Sequence, residues 1–160
     1  MTIRAAIRSD LGALLRLLAL LSDDDPEAQS ARMSSASVRA WTRIESDPDR
    51  TLLVAERRGE LIGTLDLLVV PNLTHAARSW AIVENVVVAP AHRRRGIGRA
   101  LVQEALSRAQ EAGCYKVQLL SHQDRAEAHT FYAALGFETC AQGYRHYLEA
   151  DQPSAAVPHG

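Results

Sequence analysis

The N-terminal residues predict a short strand followed by an amphipathic helix. Residues 2–7 form the predicted strand, and the leucines between positions 11 and 21 then recur at helical spacing. Ser9 or Asp10 precedes this stripe, and a side-chain oxygen there can accept a backbone N–H group at the start of a helix. The polar residues over 22–37 predict a mobile loop or a broken helix. A second apolar stripe at Val38, Trp41 and Ile44 predicts another helix, which the Asp-Pro pair at 47–48 ends.

The middle of the chain changes to strand-like runs that are rich in β-branched residues. These runs are bounded by turn residues and predict strands at 51–57, 61–70 and 80–88. A helix is predicted at 96–112, with Gly113 in the position of a left-handed C-cap.

The last part of the chain predicts a strand at 115–120, a helix at 125–135 capped by Gly136, and closing strands at 137–139 and 144–148. This order of elements predicts an α/β (α+β) fold, in which a mixed sheet is flanked by helices. We expect one domain over residues 1–149 and a flexible tail over 150–160, where no apolar period continues.

Composition and charge narrow the function classes. The chain has 160 residues and a net charge of −1, which disfavours a general nucleic-acid binder. Its two cysteines are too few for a disulfide framework, and free thiols are typical of the cytoplasm. We find no secretory signal, and the leucine-rich stretch is too short to cross a bilayer, so we expect no membrane association. No pair of histidines has the spacing of metal ligands, so we expect no metal.

The segment 86–101 combines the end of a strand, a loop of arginines and two glycines that open a helix. The first turn of a helix offers N–H groups without intrahelical partners, together with partial positive charge. Arginines add fixed cations, so this segment predicts a site for a phosphate or pyrophosphate.

Three other interpretations of this segment are weaker. A solvated arginine cluster is the simplest of them. A dinucleotide-binding turn needs a third glycine, but Gly96 and Gly98 are followed by Arg99-Ala100-Leu101. A P-loop needs a Gly-Lys-Ser/Thr ending, which is absent.

Two motifs resemble those of the GNAT superfamily of N-acetyltransferases. Arg93-x-x-Gly96-x-Gly98 is similar to the family's Arg/Gln-x-x-Gly-x-Gly/Ala motif, and the segment 128–137 is similar to its Ala-x-x-Phe-Tyr helix ending. Within the family, the segment 82–88 with the Cys-Tyr-Lys run at 114–116 resembles glucosamine-phosphate N-acetyltransferases. The segment 125–132 resembles aminoalkylphosphonate acetyltransferases.

The resemblance implies acetyl-CoA as cosubstrate and a mostly antiparallel GNAT-like sheet whose central strands splay apart, often at a bulge. It also implies that backbone amides of the arginine loop bind the pyrophosphate and that the backbone of 86–88 binds pantetheine. We add the loop arginines as candidates for contact with the CoA phosphates. Arg125 and His129 are candidates for contact with a CoA phosphate or an anionic substrate, and a solvated helix face is the alternative interpretation of this pair. The candidate cofactor-binding residues are Val86, Val87, Val88, Arg93, Arg94, Arg95, Gly96, Ile97, Gly98, Arg99, Arg125, His129 and Tyr132.

Two side chains are candidates for catalysis. Tyr132 is a candidate acid for the departing thiolate, because a phenol has a pKa near ~10 and the resemblance places it beside the sulfur. Glu84 interrupts an apolar strand and is a candidate base for the amine, or alternatively a ligand of the substrate ammonium.

Together these observations predict direct acetyl transfer to the primary amine of a small molecule in a ternary complex. A protein or peptide N-acetyltransferase and a non-catalytic CoA-sensing module remain as alternatives. Many members of the family are dimers, so a homodimer through the C-terminal strands is a further option that the sequence leaves open.

Overall fold

A computed structural model describes residues 1–21, 33–144, 146 and 148. The chain divides into two compact units, Met1–Leu119 and Leu120–Gly160. Most of the predicted loop at 22–37 and the whole predicted tail at 150–160 lie outside the described residues, and the single domain stays a prediction.

The first unit is built on a five-stranded sheet in the order β1-β2-β3-β4-β5. All neighbouring strands are antiparallel except β4 and β5, which are parallel. The mixed, mostly antiparallel sheet predicted from the sequence is therefore confirmed. The strands are β1 Thr2–Ala5, β2 Arg50–Arg57, β3 Glu60–Val70, β4 Trp80–Val88 and β5 Val117–Gln118.

The helices lie close to the positions that the apolar stripes predict. They are α1 Leu11–Leu18, α2 Ser35–Glu45, α3 Ile97–Glu111 and, in the second unit, α4 Ala126–Ala133. The Ser34 hydroxyl accepts the Ser37 N–H at 3.1 Å and caps α2, a contact that stabilises a helix by about 1 kcal/mol. Asp10 does not cap α1, because its carboxylate accepts the Ile7 N–H at 2.8 Å and binds Arg4 instead.

The two faces of the sheet pack against different helices. Val54 of β2 belongs to a buried cluster with α1 and α2 through Leu11, Leu14 and Trp41. On the other face, a side chain added at Gly63 would meet Leu101 and Ile97 of α3. Alternate residues of a strand point to opposite faces, so Thr64 and Asp66 of β3 face away from α3.

The C-terminal strands differ from the prediction. The strand expected at 115–120 is reduced to Val117–Gln118, and none of the described residues at 137–139 or 144–148 is in a strand. At Phe137 the physical reason is visible. Its N–H bonds to the Tyr132 carbonyl at 3.1 Å and closes the end of α4, with Gly136 in the left-handed region at φ 87°. That donor is therefore not available to a sheet.

Candidate active site

A bulge lies in the middle of β4. Thr64 pairs with Val87 and Asp66 pairs with Glu84, so the single residue Leu65 of β3 faces two residues of β4. One of these two is Asn85, whose φ of 54° lies in the left-handed region. An extra residue of this kind leaves part of the ladder unpaired and bends the strand, and such bulges are common beside active sites.

The pairing of β4 with β5 ends at Ile82, two residues before Glu84. The paired residues are Ala81 with Val117 and Ile82 with Gln118. From Val83 to Val88, β4 therefore continues past its last pair with β5. Glu84 is half-buried two residues past the last pair, at the point where the bulge begins. The end of the β4–β5 pairing thus precedes the candidate base, and the bulge in the β3–β4 pairing follows it.

The loop after β4 is tied to the strand that precedes it. The Nε–H of Arg93 donates to the Val88 carbonyl at 3.1 Å, and the His92 N–H donates to the Ala89 carbonyl at 2.8 Å. The next residue, Arg94, has a φ of 59°. The loop that these contacts hold is short and leads directly to the start of α3. They also show that the Arg93 side chain is directed at the backbone of β4.

The start of α3 offers free backbone donors. Its first backbone bond runs from the Ala100 N–H to the Gly96 carbonyl at 3.0 Å. The N–H groups of Ile97, Gly98 and Arg99 therefore have no acceptor within the helix. Gly96 is the N-cap at φ 78°, and an added Cβ would meet no heavy atom within 4 Å. The space beside this residue is open, so the loop fits a diphosphate that approaches the backbone closely.

The four loop arginines are exposed to solvent. They are Arg93, Arg94, Arg95 and Arg99. Exposed guanidinium groups around free amides provide the positive charge that an anionic ligand requires.

Tyr132 lies on α4 in the second unit. Its ring is half-buried and makes edge contacts with Phe131 and Phe137, with ring centroids 5.1 and 5.8 Å away. Edge contacts of this kind orient an aromatic ring. Arg125 immediately precedes α4 and is exposed, one helical turn from His129. The Nε2 of His129 lies 3.0 Å from the His122 carbonyl oxygen, so this ring nitrogen is within hydrogen-bond distance of the loop before α4.

Neither cysteine has the environment of a nucleophile. Burial raises the pKa of the Cys114 thiol, and the nearby Arg78 offsets only part of this effect. Cys140 is exposed, and both are free thiols. Within the described ranges, no three His, Cys, Asp or Glu side chains come close enough to hold a metal ion. No helix in these ranges combines the length and apolar character needed to cross a membrane.

A separate cavity lies at the start of α1. It has a volume of about 500 Å³ and is lined by Arg4, Asp10, Arg16, Glu56 and neighbouring residues, but not by Glu84 or the loop arginines. Three of its charged groups bind each other, since Arg4 contacts Asp10 at 2.6 Å and Glu56 at 2.7 Å. We assign no function to this cavity.

Comparison with known proteins decides the family. The model of the acetyltransferase (GNAT) family matches residues 14–137, a range that contains the bulge, the arginine loop and Tyr132. The chain belongs to the GNAT family.

Relatives and solved structures of this GNAT acetyltransferase agree with the nearer resemblances in its motifs. Glucosamine 6-phosphate N-acetyltransferase of Trypanosoma brucei brucei is 30% identical over 84% of this chain and 87% of that protein. Aminoalkylphosphonate N-acetyltransferase of Salmonella typhimurium is 32% identical over 58% of this chain and 59% of that protein. The structure of a candidate acetyltransferase from Agrobacterium tumefaciens has 37% identity and a TM-score of 0.85, covering 92% of this chain and 99% of that one. The resemblances inferred from the motifs are confirmed.

The sequence pattern did not predict the buried carboxylate of Asp66 beside the candidate site. Asp66 is 1% exposed in the middle of β3, directly opposite Glu84, and it binds Arg50. The signal was present, because Asp66 is a lone carboxylate in the apolar run 61–70, just as Glu84 is in the run 80–88. Only the strand register brings the two carboxylates together.

Proposed function

We propose that this GNAT acetyltransferase moves the acetyl group of acetyl-CoA to the primary amine of a small molecule that carries a phosphate or phosphonate group. The observation that carries the proposal is the position of Glu84 beside the bulge, on a strand that leads through one short loop to the free amides of α3. A base and an anion site therefore belong to one continuous segment. The two relatives named above act on phosphorus-bearing amines, according to their names.

The chain's own groups meet the chemical needs of acetyl transfer. Amides of Ile97, Gly98 and Arg99, with the loop arginines, would hold the diphosphate of the cosubstrate. The backbone of Val86, Val87 and Val88, freed from β5, would bind the pantetheine arm. The bound thioester supplies an activated acetyl group.

Proton transfers would complete the reaction. Glu84 would take a proton from the substrate ammonium, so that the amine nitrogen can form the new C–N bond. As the C–S bond breaks, Tyr132 would give its phenolic proton to the departing sulfur. The resulting phenolate would regain a proton as the nitrogen of the new amide loses its second N–H proton, so that Tyr132 is restored. A backbone N–H at the bulge would stabilise the carbonyl oxygen as it gains negative charge. Both substrates would be bound at once, and no acyl-enzyme would form. A cytoplasmic location and a dimer remain predictions.

The test is an acceptor panel with thiol release as the signal. The panel would contain amino sugars, their phosphates, aminoalkylphosphonates, polyamines, aminoglycosides and a lysine peptide. We expect release that depends on a phosphorus-bearing amine and is much larger than with the same amine lacking phosphorus. Preference for the lysine peptide would favour the alternative of a peptide acetyltransferase.

Variants connect the activity with the site. Glu84→Gln and Tyr132→Phe are expected to reduce kcat by about 10²-fold or more, the scale of a lost acid or base, while acetyl-CoA still binds in calorimetry. Glu138→Gln and Tyr144→Phe change the same residue types at exposed positions and are expected to leave kcat unchanged. Acetyl-CoA binding without turnover on any amine would favour a sensor, and no binding would refute the proposal.

A further inference from the structure

Asp66 is buried within the sheet at a position where a charge is costly. It is 1% exposed, and its strand neighbours Leu65 and Leu67 are also buried. Moving a carboxylate out of water is unfavourable unless it is paired and hydrogen-bonded. Within the described residues, the buried polar or charged residues are Asp10, Thr64 and Asp66, and Asp66 is the more deeply buried of the two carboxylates.

Arg50 holds the Asp66 carboxylate from one side. The Nε–H of Arg50 donates to Oδ1 at 3.0 Å, and a terminal N–H of the same guanidinium donates to Oδ2. Both carboxylate oxygens are thereby bound from β2, and bidentate pairs of this kind fix the orientation of both groups. The hydrogen bonds to the Asp66 carboxylate also raise the pKa of Arg50, which keeps the guanidinium charged.

Glu84 lies on the other side of Asp66. The two residues are directly opposite in the antiparallel ladder of β3 and β4. Residues in this relation point to the same face, with β-carbons about 4.5–5.5 Å apart, and like charges there repel. Arg50, Asp66 and Glu84 therefore follow one another across three neighbouring strands on the face that packs against α1 and α2.

We propose that Asp66, held by Arg50, is a positioning residue that sets the charge environment of Glu84 and keeps it effective as the base. The inference rests on the role of Glu84 in the proposed function. A fixed negative charge beside Glu84 opposes a second one, so Glu84 holds a proton more strongly and accepts it better from the substrate ammonium. An apolar residue at position 66 would not supply this charge.

Few other described charges face Glu84 from the elements that contact β4. The segment Ala19–Leu21 and β5 carry no titratable group, and α1 carries Arg16, which is exposed. On β3 the second acidic residue is Glu60, at the exposed end of the strand. The charged residues of α3 belong to the opposite face of the sheet. Asp66 is the carboxylate that the strand register places directly opposite Glu84, and it is the charge that the test changes.

The pH profile of kcat/KM tests the inference. In Asp66→Asn we expect the acidic limb to move to lower pH by about one unit, the scale of one close carboxylate. We also expect the plateau to fall severalfold, because a less basic Glu84 accepts the proton less well. Asp66→Glu keeps the charge and should leave the limb close to its original pH.

A second variant covers the case that Asp66→Asn folds poorly because Arg50 loses its partner. Arg50→Met with Asp66→Leu replaces the pair by apolar groups, an exchange that proteins often tolerate. The limb should move in the same direction by a smaller amount. Asp10→Asn is the matched control, because it breaks another buried Asp–Arg pair and should leave the limb in place.

The outcomes separate this inference from the proposed function. If Glu84→Gln removes the acidic limb but folded Asp66→Asn and the folded double variant Arg50→Met with Asp66→Leu keep it at its original pH, the positioning role is refuted and Glu84 remains the base. If Glu84→Gln leaves both turnover and the limb unchanged, the role of Glu84 itself fails, and the positioning role fails with it.

Discussion

The side chain of Arg93 binds the backbone carbonyl of Val88 at 3.1 Å. This single contact links the last residue of β4 to the loop that leads into α3. A residue whose charge makes it a candidate phosphate ligand thus also holds the loop in shape. The free amides of α3 depend on that shape, since a loop that opens would move them away from the strand.

Arg93→Met should weaken acetyl-CoA binding more than the loss of one exposed charge. We expect the dissociation constant to rise by roughly tenfold, because both a cation and the tie to Val88 are lost and hydrogen bonds of charged groups are worth about 1.5–3 kcal/mol. Titration calorimetry measures this directly. Arg57→Met removes an exposed arginine at the end of β2 and serves as the control. Equal effects of both variants would contradict a specific role for the Arg93 contact.

Gly96→Ala and Gly12→Ala should change stability in opposite directions. Gly96 has a φ of 78°, a conformation that costs other residues roughly 1–2 kcal/mol, so its replacement should lower Tm by several degrees. Gly12 lies within α1, and an added Cβ there meets only an Arg16 side-chain nitrogen at 3.8 Å. Alanine is favoured over glycine in a helix by about 1 kcal/mol, so Tm should rise. Thermal unfolding would refute the argument if both shifts had the same sign.

Gly63→Ala tests how closely α3 packs on the sheet. An added Cβ would lie 3.1 Å from Leu101 Cδ1 and 3.1 Å from the Val87 carbonyl oxygen. The oxygen belongs to the backbone of β4 and cannot rotate away, so we expect a loss of about 1–3 kcal/mol in the free energy of unfolding. Urea unfolding measures the change. An unchanged urea midpoint would show that β4 can shift to accommodate the added Cβ without a loss of folding stability.

The pair of Asp10 with Arg4 should stabilise the fold only above acidic pH. Hydrogen bonding to Arg4 lowers the pKa of Asp10 below its usual range, so the contribution is present above the unfolded-state value near ~3.9. It is lost as the pH falls through the lower folded-state pKa. Asp10→Asn should therefore be less stable than the natural chain at pH 7, with the difference shrinking below about pH 4.

Urea unfolding at several pH values measures this difference. Asp49→Asn changes an exposed aspartate and should show little effect at any pH. A stability difference for Asp10→Asn that stays constant down to strongly acidic pH would contradict the assigned cause.

Local patterns in the sequence were sufficient for most elements of the first unit. The β-branched run at 80–88 became β4 with the predicted bounds, and the stripe at Val38, Trp41 and Ile44 became part of α2. Gly113 and Gly136 have positive φ values of 72° and 87° where helix ends were expected. These features depend on neighbours in the chain, so a short window contains their cause. The family motifs are local for the same reason.

The sequence by itself thus determined most elements of the first unit, the family and the candidate side chains, including Glu84 and the arginine loop, but not the C-terminal strands. Tertiary structure decided which strand positions face each other. The bulge at Asn85, the end of the β4–β5 pairing at Ile82 and the placement of Asp66 beside Glu84 all follow from register between strands that are far apart in the chain. Register depends on hydrogen bonds and packing with those distant strands, and no short segment contains that information.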